Sequence, residues 1–161
     1  MTSDMDAAIV ELRAACRRAY EAQKAKDAAL KKRKQVAEQT WKSLHELGPT
    51  NIAKQMGMES SRAVVRALTA DLQPRPPRGP RSDVTLTRRQ ADAVTRLRDA
   101  LVAVDNANKE HTAALDERWF TIRRTWPVLA PMGQRAIARA VGGGYVGEST
   151  ISVTTTDLRR A

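Results

Sequence analysis

Two stretches of this chain nearly coincide. Residues 40–57 read TWKSLHELGPTNIAKQMG, and residues 125–142 read TWPVLAPMGQRAIARAVG. The match extends upstream at a constant offset of 85 residues, and between positions 12 and 57 it gives 16 identities without a gap. They include Leu12/Leu97, Arg13/Arg98, Leu30/Leu115, Arg33/Arg118, Trp41/Trp126, Leu44/Leu129, Gly48/Gly133, Ile52/Ile137, Ala53/Ala138 and Gly57/Gly142. Chance would supply about three. An internal repeat constrains the fold more tightly than any composition figure, because whatever unit the first copy specifies, the second specifies again.

The joint between the copies lies at residues 73–80, QPRPPRGP, which hold four prolines. Proline lacks a backbone donor and favours extended geometry, so residues 74–82 are expected to form a semi-rigid linker of roughly 25–30 Å. The expected division is a first unit at 1–73, the linker at 74–82 and a second unit at 83–161. Between Asp4 and Leu47 there is no glycine or proline, and helix-forming residues dominate. Ser3 offers an N-cap with Asp6 three residues on. Ile9, Leu12, Cys16, Ala19, Leu30, Ala37, Leu44 and Leu47 form an apolar stripe, interrupted at Gln23, Lys26 and Arg33. One very long helix or two helices with a break both fit. In the second copy, residues 87–90 (TRRQ) form a capping box, helix-forming sequence runs to Thr125, and a kink or helix end is expected at Pro127. A helix of about 40 residues is about 60 Å long and needs its stripe covered, by the other long helix or by a second chain.

After each long helix the pattern changes. Gly48 and Pro49 break the first helix, a short helix follows from Thr50 to Met56, Gly57 ends it, and a further helix is expected from Arg62 to about Leu72. Ala53 is small where two helices cross closely, and Gly57 follows four residues later to take a positive-φ turn. GPTNIAKQMG and GQRAIARAVG share this spacing. The segment resembles the helix-turn-helix of small bacterial and phage DNA-binding proteins, over about residues 37–72 and again over 122–160. The resemblance implies an all-α fold of two duplicated long-helix plus helix-turn-helix units. It also implies that Ser60, Ser61, Arg62, Val65 and Arg66 present themselves to the major groove, with Thr50, Asn51 and Lys54 on phosphates. The matching phosphate contacts of the second copy are Gln134, Arg135 and Arg139. That copy departs from the pattern after Gly142, where more glycines precede Tyr145. Ser149, Thr150 and Ser152 are candidate reading residues there, but the β-branched run from Thr150 to Thr156 also allows a short β-hairpin through Tyr145–Val153. This second motif reads DNA with hydroxyls or has drifted to a partner-binding role.

Charge points the same way. The net charge is +10 over 161 residues, with an excess of +4 both before residue 74 and after residue 85. A basic surface spread over both halves fits a polyanionic partner better than a charged tail does. The combined expectation is sequence-specific binding of double-stranded DNA by a transcriptional regulator or repressor that occludes or organises its site. Two motifs on one chain would occupy two groove segments about 34 Å apart. Because the copies differ in the reading helix, the site is expected to be asymmetric. The alternatives are an architectural or plasmid/phage DNA segregation protein, and a coiled-coil protein-interaction module. A homodimer through the long helices remains open.

Other features have plainer readings. The helical positions of Trp41 and Trp126 suit core packing better than base stacking. Residues 31–34, KKRK, read as a solvated face with some reach to phosphate. His45 and His111 lack partners at metal-binding spacing, and no metal or cofactor is expected. No Ser-His-Asp, Cys-His or paired-carboxylate pattern suggests an enzyme. Cys16, the single cysteine, fits a small buried hydrophobe in a reducing compartment. The opening MTSDMDAAIV lacks the basic-then-apolar layout of a secretory signal, and no run is long and apolar enough to span a bilayer. The expected location is cytoplasmic and nucleoid-associated, in a bacterium or its phage, given 20 Arg against 8 Lys.

Overall fold

The glycine- and proline-free opening of the chain folds without interruption into one helix, α1 (Thr2–Leu44), in the computed structural model. The model describes residues 2–58, 61–77 and 84–158. Ser3 lies inside the first turn of α1 and does not cap it, because the helix already begins at Thr2. At its far end α1 tightens into a 3-10 turn, His45–Leu47, and Gly48 at φ 73° redirects the chain into α2 (Gly48–Gln55). Pro49 sits in the first turn of α2, where its missing N–H has no intrahelical partner to lose. α3 spans Arg62–Thr69.

The same order of elements follows the proline-rich segment. α4 (Arg88–Leu129) starts at the capping box: Thr87 N–H donates to Gln90 Oε1 at 3.0 Å, and Gln90 N–H donates to Thr87 Oγ1 at 3.2 Å. Pro127 lies within the last turn of α4, and the helix ends two residues later. A 3-10 turn (Ala130–Met132), Gly133 at φ 77°, α5 (Gln134–Val141) and α6 (Glu148–Thr154) follow.

The structure corrects the expected hairpin at Tyr145–Val153: residues 148–154 are helical, and the described residues contain no strand. The β-branched run supports this helix through its hydroxyls. Thr154, Thr155 and Thr156 each donate to the carbonyl four residues back, all at 2.8 Å.

Packing also divides the chain differently from the repeat. The compact units are Asp27–Asn106, and Met1–Lys26 together with Ala107–Ala161, in place of the expected 1–73 and 83–161. Helix length gives the reason. Leu12 and Leu44 both belong to α1, but a helix of that length has too many turns for all of its apolar positions to enter one small core. In the α2–α3 unit, Val36, Ala37, Trp41 and Leu44 from α1 meet Leu47, Ile52, Ala53, Met56 and Val65. Ala93, Val94, Leu97, Ala100 and Leu101 from α4 complete that core. In the α5–α6 unit, Ala8, Leu12 and Cys16 from α1 meet Ile122, Leu129, Ile137, Val141, Val146 and Ile151, with Trp126 half-buried against them. Among the described residues no helix is long and apolar enough to cross a membrane.

Ile52 is fully buried at the centre of the α2–α3 unit. Ile52→Ala is expected to cost about 2–5 kcal/mol of stability in chemical denaturation, through lost burial and a residual cavity. Cys16 is buried in the other unit, and desolvation pushes its thiol up to about 11 against the pull of Arg118. The folded chain therefore keeps its proton where the unfolded chain releases it. The associated stability is complete below 9.0 and is lost as pH rises from there towards about 11. Comparing the alkaline unfolding of the parent with that of Cys16→Ala isolates this effect: the parent should lose stability more steeply across that window.

Candidate nucleic-acid interface

The turn between α2 and α3 is closed by backbone bonds of a defined kind. Gly57 N–H donates to the Lys54 carbonyl at 2.9 Å, and Met58 N–H donates to the Ala53 carbonyl at 3.2 Å. These are the two bonds of a Schellman motif, with Gly57 as its left-handed residue at φ 68°. Met58 then packs back on the core, and buried Ala53 permits the close crossing. The result fixes which side of each short helix faces out.

On the outer side the structure brings together Thr50, Asn51, Lys54, Arg62 and Arg66. Thr50, Lys54 and Arg62 line one small hollow with Ala53. Thr50, Asn51, Arg62 and Arg66 line a second, whose other wall is Pro76 and Pro77. Lys54, Arg62 and Arg66 are exposed, and none of them meets a carboxylate among the described residues. Arg66 Nη2 points at Thr50 Oγ1 from 3.5 Å, too far for a strong bond. Three unpaired cations on one face form a local positive field. Asn51 is half-buried, and its amide is committed, donating to the Leu47 carbonyl at 2.9 Å.

Two of the expected reading residues face inward. Val65 is fully buried, because the apolar side of α3 must cover Ile52, and Ser61 is buried at the helix start. Ser60 lies outside the described residues. Sequence reasoning also missed an anchor: the indole N–H of Trp41 donates to the Pro74 carbonyl at 2.8 Å. That bond ties the start of the proline-rich segment to α1, and Pro76 Cβ lies 3.9 Å from where a Cβ on Gly48 would sit. A buried tryptophan needing a partner for its N–H was the available signal.

The α5–α6 unit is built on the same local rules but presents different chemistry. Gly142, Gly143 and Gly144 all take positive φ near 68°. A Cβ on Gly143 would fall 2.3 Å from the Tyr145 ring, so that glycine is required by space as well as by φ. Tyr145 in turn sits edge-on to Tyr20, with centroids 5.3 Å apart. Arg13 caps the end of α5, donating to the carbonyls of Val141 (2.9 Å) and Ala140 (2.6 Å). This role was not legible from sequence, because it depends on which part of α1 passes α5.

Two matched pairs align α3 with α6. Val65 and Ile151 are both buried, and Thr69 and Thr155 each donate to the carbonyl of that residue at 2.8 Å. With these in register, Glu148 stands where α3 has Arg62, and Ser152 where it has Arg66. Of the expected residues here, Arg135, Arg139 and Ser149 are exposed, while Gln134, Thr150 and Ser152 are half-buried. In the basic run, Lys31, Lys32 and Lys34 are exposed, but Arg33 turns inward and its Nε is buried without a hydrogen-bond partner.

Just behind α6, Arg123 of α4 forms a two-point pair with Asp157, at 2.8 and 2.9 Å, and also donates to the Thr154 carbonyl at 3.3 Å. The hydrogen bonds from Arg123 hold the Asp157 carboxyl below the usual range. No family model, no curated protein and no solved structure matches this chain.

Two outcomes are expected. Gly57→Ala should cost about 1–2 kcal/mol in denaturant unfolding, because a Cβ in the left-handed region is strained even though the space around it is open. The Asp157–Arg123 pair should stabilise the fold above the carboxylate range and release as pH falls through the folded-state value. An NMR titration of the Asp157 carboxyl should give a midpoint below 3.8, and Arg123→Ala should restore it.

Proposed function

We propose that this protein binds double-stranded DNA sequence-specifically, as a transcriptional regulator or repressor, with α3 as its base-reading helix. The observation that carries the reading is the outer face of the α2–α3 unit. Lys54, Arg62 and Arg66 converge there, unpaired among the described residues, on two short helices locked by a Schellman turn. Arg62 and Arg66 lie four residues apart and so share a helix face, where a guanidinium can pair with guanine through two hydrogen bonds. Thr50 and Lys54 sit beside them on α2, placed to hold phosphates and fix the register.

The repeat supports two duplicated helix-turn-helix units with unequal duties. Arg135 and Arg139 of α5 supply phosphate contacts. The leading face of α6 offers Glu148, Ser149, Thr150 and Ser152, of which the carboxylate suits a cytosine amino group. A site read by such a pair is asymmetric, with one part specified by guanines and the other held mainly through its backbone. Occupying such a site at a promoter excludes other proteins from it, which is how a regulator of this build would repress.

Selection of binding sites from a random duplex pool, followed by titration at several salt concentrations, tests the proposal. Arg62→Ala should weaken the selected site by about 1–3 kcal/mol, or roughly 5- to 150-fold, and leave random DNA little changed. Arg139→Ala should weaken both alike and lower the salt slope by about one phosphate contact. If the parent fails to bind duplex DNA at low salt, the proposal is wrong. If Arg62→Ala weakens selected and random DNA equally, α3 holds the backbone and does not read bases.

A further inference from the structure

The described part of α4 carries an exposed apolar face that its counterpart on α1 lacks. Phe120 is 64% exposed, Trp119 43% and Val128 37%. Pro127 and Pro131 are exposed as well. The rings of Trp119 and Phe120 touch edge to face with centroids 4.9 Å apart. Phe120, Arg124 and Pro127 recur at helical spacing along one side of α4, opposite the buried Ile122, Thr125 and Leu129.

The repeat supplies an internal control. At the same offset of 85, the first copy has Lys34 for Trp119, Gln35 for Phe120, Lys42 for Pro127, Ser43 for Val128 and Glu46 for Pro131. All five are polar or charged, and all but half-buried Ser43 are exposed. The outer side of the helix around Phe120 is thus an ordinary wet surface in one copy and an apolar one in the other, with Trp119 and Val128 on its two flanks. Water contact on Phe120, Trp119 and Val128 is unfavourable; the Arg123 guanidinium lies over the Trp119 ring, while Phe120 and Val128 face outward.

We propose that this face of α4, centred on Phe120, is where two copies of the chain associate. The charges decide between occupants. The two guanidiniums on this side are already neutralised, Arg123 by Asp157 and Arg124 by Glu11. A nucleic acid gains little from a face whose cations are paired. Two chains that each carry +10 repel one another and approach most easily where charge is locally cancelled. A self-complementary patch on each copy closes into a two-fold dimer. The apolar surface offered is about 400 Å² per copy, within the range of functional patches. Burying it on both copies removes about 800 Å², below the range of a stable interface and in that of a transient one. The dimer is therefore weak, and it forms without DNA.

Sedimentation of the full chain, free of DNA, tests this from submicromolar to several hundred micromolar concentration. The parent's average mass should climb towards twice that of one chain. The double substitution Phe120→Gln with Val128→Ser, which installs the first copy's residues, should remain a monomer throughout. Its circular dichroism and unfolding midpoint should match the parent's, since both side chains are exposed. Tryptophan emission gives a second reading: it should shift to shorter wavelength with parent concentration, and Trp119→Lys should abolish the shift. A parent that stays monomeric at every concentration overturns the proposal. So does a double variant that associates as strongly as the parent. Neither result bears on DNA binding, which Arg62→Ala tests separately.

Discussion

The cover required by the apolar stripe of each long helix organises this fold. A 43-residue helix followed by two helices of eight residues has far more buried surface to satisfy than those short helices can cover. Leu44 finds its place beside Ile52, but Leu12 cannot, and it lies instead with Leu129 and Ile137. Each core is therefore assembled from parts of both copies. The two turns, Gly57 and Gly142, then set the outward side of the short helices, and that side carries the chemistry.

Features that depend on neighbours within about four residues were legible in the sequence. The Thr87–Gln90 capping box, the positive-φ glycines, the small Ala53 and the burial of Trp41 all follow from local rules, and all are present. Features that depend on distant partners were not. Thr150 to Thr156 looks like a strand when judged by side-chain branching. Anchored through buried Ile151 and with its hydroxyls bonded to carbonyls four residues back, most of it becomes a helix. Val65 and Ser61 were expected at the DNA face because of their place near the start of α3. The eight-residue helix has few positions to spare, and the core beneath it takes those two.

The electrostatic contrast between the units rests on two substitutions in register. Replacing Arg62 and Arg66 by Glu148 and Ser152 removes two positive charges and adds a negative one at the leading edge of α6. Nothing in the core forces this change, since Val65 and Ile151 fill equivalent buried positions and Thr69 and Thr155 make the same bond. Arg123 and Asp157 then add a neutral, rigid pair behind α6, with Arg123 also lying over the Trp119 ring at 4.7 Å. The leading edge of α6 is thereby less positive than that of α3.

The identities of the repeat fall mainly where the fold demands them. Leu12/Leu97, Leu44/Leu129 and Ile52/Ile137 are buried pairs; Gly48/Gly133 and Gly57/Gly142 are positive-φ pairs; Thr40 and Thr125 each bond a carbonyl four residues back inside the core. Many positions outside the core differ: Thr50 against Arg135, Lys34 against Trp119, Gln35 against Phe120. Shared residues of this kind specify an architecture, and architecture alone does not imply a shared function. Arg62 and Arg66, set against Glu148 and Ser152, support DNA reading by the first copy, and Phe120 and its neighbours, set against Gln35 and theirs, support self-association by the second; at these positions the two copies part.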